Sequence, residues 1–201
     1  MIQIFHVPYT RSVRPIWLAH EMDLPIEVID VDWSDSYRQS DEWLAISPTR
    51  KVPALIDGDL KMFESGAMVS YLLEKYGKDT WLPEPGSRLS ALHHQWCWYS
   101  EATLPRPLGV RQVLQTREQE VDLPALVETK VREALDIVDA ALADNQYLVG
   151  NEFTAADVMM GYTITLMEFL MLPRHQRVAA YLGRLKAREG FKIAFGPLPS
   201  S

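Results

Sequence analysis

The chain has 201 residues, 47% of them hydrophobic, with six tryptophans and a formal net charge of −7. That apolar content excludes a disordered chain and supplies one large or two small cores, while the acidity argues against a nucleic-acid binder, which needs a basic stripe. No apolar run approaches the roughly 18 residues of a membrane span, the start at Met1 lacks a secretory pattern, and the lone Cys97 offers neither an internal disulfide nor a CxxC pair, so a reducing cytoplasm is the expected compartment.

In chain order, the β-branched, apolar stretch Met1–Phe5 reads as a buried strand. Thr10 to Ser12 offers helix caps, and Val13, Ile16, Trp17 and His20 follow at helical spacing, with Pro15 in the first turn where its missing N–H costs little. Asp23 and Pro25 stop that helix before a second strand over Ile26–Val31. Strand, helix and strand in this order favour a parallel pair. After an irregular stretch, Val52–Ile56 and Leu60–Phe63 read as strands joined through Asp57-Gly58-Asp59, a hairpin signal. Glu64-Ser65 then opens a helix carrying Met68, Val69, Leu72, Leu73 and Tyr76, which stops at Gly77. Residues 1–77 therefore form a small α/β domain. It carries seven basic and twelve acidic side chains, and Arg11/Arg14 and Arg50/Lys51 hold four of the seven, a candidate site for an anionic ligand.

Residues 78–87, with Pro83, Pro85 and Gly86, have linker composition, and 88–201 reads as helical throughout. Leu123, Leu126/Val127, Val131, Leu135, Val138 and Leu142 form an amphipathic stripe. Thr154 and Asp157 have capping-box spacing ahead of an apolar helix over Val158–Leu172. Trp96, Trp98 and Tyr99 read as core side chains, and His93 and His94 have no metal-ligand partners at useful spacing, so no metal is expected.

Three segments, in order and at familiar distances, carry a family resemblance: Ser47-Pro-Thr-Arg-Lys-Val-Pro-Ala-Leu-Ile-Asp57, Glu64-Ser65, and Phe153-Thr-Ala-Ala-Asp-Val-Met-Met160. With Trp81-Leu-Pro83 at the linker, the chain resembles cytosolic glutathione transferases of the bacterial type over nearly its whole length. The resemblance implies a thioredoxin-like N-terminal domain, a C-terminal helical bundle, a homodimer with the small domain of one subunit against the helical domain of the other, and glutathione as co-substrate without a further cofactor. It also implies that the Val52–Pro53 bond is cis, leaving the Val52 backbone to pair with a tripeptide as an added strand. Ser65, at a helix start that favours carboxylates, would take the γ-glutamyl end with Glu64 beside it, and Lys51 the glycyl carboxylate. Thr154 and Asp157 are structural in that family and lie outside the site. Ser47 stands where asparagine is commoner, and Arg188-Glu-Gly190 where Arg-Pro-Ala is commoner.

The implied reaction joins the glutathione thiolate to a small hydrophobic electrophile, with peroxidase or isomerase activity open on the same site. A free cysteinyl thiol titrates near ~8.5, and lowering that by about two units needs ~2.7 kcal/mol. One charge-assisted hydrogen bond supplies roughly 1.5–3 kcal/mol and a helix N-terminus about 0.3–1 more. A single hydroxyl at the first helix therefore suffices. The candidates are Ser12, then Thr10, then Tyr9, with Arg11 helping by charge. Counting back from Arg14-Pro15 puts the family's catalytic serine at or near Tyr9. The electrophile pocket is expected between this loop and Trp96–Pro105, with Tyr99 and Arg111 on the second-substrate side. The alternative reading is a non-catalytic ligand carrier or protein-interaction module on the same fold.

Overall fold

The computed structural model describes residues 1–77, 81–108, 123–169 and 175–197. The chain forms two compact units, Met1–Trp81 with Lys186–Ser201, and Leu82–Leu185.

The first unit is built on a four-stranded sheet ordered β2-β1-β3-β4, formed by β1 (Ile2–His6), β2 (Ile26–Asp30), β3 (Ala54–Asp57) and β4 (Leu60–Phe63). β1 and β2 are parallel, with α1 (Val13–Glu21) between them, as the strand, helix, strand order implies. β3 and β4 are an antiparallel hairpin turning at Gly58, whose φ of 63° is the left-handed conformation that glycine takes without a Cβ penalty. β3 begins at Ala54, two residues later than the apolar run suggests, because Val52 and Pro53 stand outside the ladder.

The stretch expected to be irregular holds two short helices, α2 (Asp35–Arg38) and α3 (Asp41–Ile46). Both are started by serines: Tyr37 N–H donates to Ser34 Oγ and Trp43 N–H to Ser40 Oγ. α3 delivers Trp43 into a cluster with Phe5 and Ala54, the two rings 5.8 Å apart and edge to face. α4 (Ser65–Tyr76) completes the unit, burying Met68, Val69, Leu72 and Leu73 and packing on α1.

In the second unit, α5 (Arg88–Trp98) runs on as a π-helical turn, Tyr99–Thr103. α6 (Leu123–Ala141) buries the stripe Val127, Val131, Leu135 and Val138. α7 (Ala155–Phe169) is buried from Ala155 through Thr165, and α8 (Gln176–Lys186) buries Val178, Tyr181, Leu182 and Leu185. Asp157 ties this unit together: its carboxylate accepts from Thr154 N–H, Leu148 N–H and Tyr181 Oη–H at 2.7–3.1 Å. Two expectations change here. Trp98 is 70% exposed rather than core, since α5 turns its buried face through Ser90, His93 and Trp96. The last helix, α9 (Glu189–Phe195), falls with the first unit rather than with the rest of 88–201. It packs on α1, where Phe191 meets Trp17 edge to face at 5.0 Å and Arg188 holds Glu21 through two hydrogen bonds.

Candidate functional site

Strand register brings three segments to one end of the first unit's sheet. Phe5 pairs with Ala54, and Ala54 pairs with Phe63. The loop leaving β1 after His6, the Val52-Pro53 segment entering β3, and the Glu64-Ser65 turn leaving β4 therefore emerge side by side.

The Val52–Pro53 peptide bond is cis. Among the described residues, neither the Val52 N–H nor its C=O has a hydrogen-bond partner. An unpaired donor and acceptor on one residue beside a sheet are what an extended peptide can pair with. The approach is braced by Ser47, fully buried at the end of α3, whose Oγ donates to Lys51 C=O at 2.7 Å. Arg50 takes the left-handed φ of 57° in that loop, and Lys51 and its ammonium are exposed.

Ser65 is the first residue of α4 and is buried. Its Oγ accepts from Arg14 Nη1 at 3.0 Å, and Arg14 is itself fully buried in α1. Arg14 thus supports the hydroxyl at the start of α4, where the free N–H groups of a helix N-terminus favour a carboxylate. Glu64, just ahead of it, is exposed and has φ 71°, a left-handed conformation that costs a non-glycine residue roughly 1–3 kcal/mol. Its side chain makes no cap on the helix.

The loop after β1 presents the three candidate hydroxyls in different ways. Ser12 is fully buried and stands at the N-cap position of α1, yet makes no cap. Its Oγ lies 2.8 Å from His6 Nδ1 and 2.7 Å from Thr10 Oγ1. Thr10 is half-buried, and its Oγ1 donates to Val7 C=O at 2.7 Å. Tyr9 has φ 61°, and its hydroxyl donates to Pro197 C=O at 2.8 Å. Arg11 is exposed on the same loop. Burial lowers the pKa of His6, against the pull of Asp30, its register partner on β2.

Tyr99 lines a largely apolar cavity of about 430 Å³ in the second unit, with Leu126, Val127, Ala134 and Ile137, and with Arg106 and Lys130 also on its wall. The Tyr99 hydroxyl donates to Ala134 C=O at 2.9 Å, so the residue offers its ring rather than its O–H. Arg111 lies outside the described residues. Sequence reasoning missed two contacts to the candidate residues, the Arg14 support of Ser65 and the His6 partner of Ser12. The only signal for Arg14 was its place in the local basic cluster, and nothing marked His6.

Two family models match the chain: "Glutathione S-transferase, N-terminal domain" over residues 2–74 and "Glutathione S-transferase, C-terminal domain" over residues 98–184. The chain is 26% identical to glutathione S-transferase 3 of Schizosaccharomyces pombe over 96% of its own length and 86% of that protein's. It is 31% identical to glutathione S-transferase F12 of Arabidopsis thaliana over 74% of each chain. Its fold resembles that of a delta-class glutathione transferase of Nilaparvata lugens with a TM-score of 0.84 and 22% identity, covering 96% of this chain and 92% of the other.

Proposed function

Because the chain belongs to the glutathione S-transferase family, we propose how its first unit carries out that family's chemistry. The protein is a glutathione transferase, an enzyme of thioredoxin-like and helical parts that uses glutathione as co-substrate. Glutathione lies along the sheet end, with its cysteinyl backbone paired to the Val52 N–H and C=O beside Pro53. Its γ-glutamyl carboxylate meets Ser65 at the start of α4, with Glu64 answering the ammonium of the same residue, and its glycyl carboxylate meets Lys51. The observation that carries this reading is the convergence of an unpaired Val52 backbone and an Arg14-backed Ser65 at one end of the sheet.

The thiol is assigned to Thr10. Ser12 has no exposed surface and the Tyr9 hydroxyl is tied to Pro197 at the far end of the chain; the half-buried Thr10 Oγ1 is tied only within its own loop, to Val7 C=O and Ser12, and is the hydroxyl that turns to a sulfur with least rearrangement. The thiol proton leaves to water, Thr10 donates to the thiolate, and Arg11 adds positive potential from the loop. The thiolate then forms a C–S bond with a small hydrophobic electrophile, and the leaving group departs with the bonding pair. Detoxification of such compounds is the role that fits. The alternative of a non-catalytic module has no observation in its favour among the described residues.

The assembly we propose is a homodimer: Leu60 and Phe63 on β4 and Leu89 and Trp98 on α5 are exposed apolar side chains that an isologous partner would cover. A cytoplasmic location is supported by the lone Cys97, which suits a reducing compartment; separately, no helix among the described residues is long and apolar enough to cross a membrane. Calorimetry with glutathione tests the site. Ser65→Ala removes one charge-assisted hydrogen bond, about 1.5 kcal/mol or roughly tenfold in Kd. An unchanged Kd for Ser65→Ala would remove the γ-glutamyl carboxylate from the start of α4.

A further inference from the structure

We infer that His6 is a positioning residue for thiol activation: through Ser12 it sets which way the Thr10 hydroxyl points its proton. The inference rests on the reading that Thr10 meets the sulfur. Ser12 is a serine at a helix N-cap that does not cap, its side chain turned instead between His6 Nδ1 at 2.8 Å and Thr10 Oγ1 at 2.7 Å. The three polar atoms form a chain running from the end of β1 to the loop surface.

Proton counting fixes what the chain can do. A hydroxyl has one proton to give and two lone pairs to accept with. Thr10 Oγ1 donates to Val7 C=O at 2.7 Å, and Ser12 Oγ also reaches that carbonyl at 3.2 Å. For Thr10 to donate to a thiolate, its proton must leave Val7, and its oxygen is then best held by a donor from behind. That donor is the Ser12 O–H. Ser12, having given its proton to Thr10, accepts from Val7 N–H at 3.4 Å and from His6 only if Nδ1 carries a proton. The order is then Nδ1–H to Ser12 Oγ, Ser12 O–H to Thr10 Oγ1, and Thr10 O–H to sulfur. Such a chain polarises each successive donor. With Nδ1 bare, the Ser12 proton turns to His6 and the Thr10 proton turns inward to Ser12 or Val7. The imidazole tautomer thus selects between an outward and an inward hydroxyl. His6 is half-buried and burial favours its neutral form, so both tautomers are accessible in charge terms, and Asp30 across β1 and β2 is the charged group acting on it.

The test compares His6→Phe, His6→Asn, Ser12→Ala and Thr10→Val, each saturated with glutathione. Three readouts are taken: thiolate ultraviolet absorbance against pH, calorimetric Kd for glutathione, and kcat and KM with an activated chloroaromatic. Asparagine places an amide N–H near the position of Nδ1 and phenylalanine places none. The expected result is a rise of about one unit in the bound-thiol pKa for His6→Phe and a roughly tenfold fall in kcat. The glutathione Kd stays within about twofold, and His6→Asn recovers most of the loss. Ser12→Ala, which cuts the chain in the middle, gives the same shift, and the His6→Phe/Ser12→Ala double variant adds nothing further. This second cut keeps the test intact should His6→Phe not fold. If Thr10→Val raises the pKa while His6→Phe or Ser12→Ala titrates like the wild type, the inference is overturned and the Thr10 assignment stands. If Thr10→Val itself titrates like the wild type, the assignment beneath it fails as well. A His6→Asn variant no better than His6→Phe also overturns it, because ring packing rather than a donor would be responsible.

Discussion

His93 is an imidazole with 2% of its surface exposed and its pKa pushed down to about 4, first by burial and then by neighbouring His94. Its Nδ1 has no hydrogen-bond partner among the described residues, and its Nε2 faces Cys97 Sγ at 3.6 Å. A folded-state pKa below the unfolded value means that the unfolded chain binds the proton first on acidification. Stability is then lost as pH falls from 6.5 towards about 4. The full shift corresponds to about 3 kcal/mol. Urea melts of wild type and His93→Gln between those limits should show a shallower pH slope in the variant. Parallel slopes would mean that His93 is hydrated and titrates freely. The residue scale also shows what a sequence can disclose. Pro53 and Ser65 were legible because each sits at a fixed offset from its own strand or helix. Arg14 was not legible as the support of Ser65, because the two lie 51 positions apart and only the packing of α1 on α4 joins them. Ser12 was legible as a hydroxyl in the loop after β1, whereas its burial depends on where the neighbouring side chains fold.

At the scale of elements, two departures from commoner family residues have physical counterparts. Ser47 fastens the loop ahead of Val52 through Lys51 C=O. A Cβ on Gly190 would lie 2.8 Å from Trp17 Cδ1 and 2.9 Å from Glu21 Cγ. Trp17 is fully buried and Glu21 is held by Arg188 and by the Trp17 indole N–H, so neither side chain yields cheaply. Helix propensity favours alanine over glycine by about 1 kcal/mol, but overpacking costs about 1–3. Gly190→Ala should therefore lower unfolding stability, as read from denaturant midpoints. A stabilised variant would contradict the close approach of α9 to α1. In the second unit, Asp157→Ala strands the Leu148 and Thr154 N–H groups and the Tyr181 hydroxyl, at about 1–3 kcal/mol for each buried group. A loss of about 3 kcal/mol or more is expected. A loss near that of an ordinary surface change, within about 0.5 kcal/mol, would show the tie to be slack. The long periodic helices α4, α6 and α7 were readable from spacing. α2 and α3 were too short for any period to register, although Ser34 and Ser40 were present as caps.

For the whole molecule, the proposed homodimer should appear in light scattering at micromolar concentration as a particle of twice the 23.0 kDa chain mass. A 23.0 kDa particle would leave the apolar side chains of β4 and α5 uncovered and refute the dimer. The parallel β1–β2 pair, the hairpin and the amphipathic stripe were all visible as patterns of residue type. The placement of α9 on the first unit was not, since it depends on aromatic contacts between Trp17 and Phe191, 174 positions apart in the chain. We propose that the end of the first sheet binds glutathione and lowers the pKa of its thiol. This is tested most directly by following thiolate absorbance against pH with the wild-type protein saturated by glutathione. The expected midpoint lies at least about one unit below the ~8.5 of a free cysteinyl thiol. A midpoint equal to that of free glutathione, with the site calorimetrically full, would contradict it.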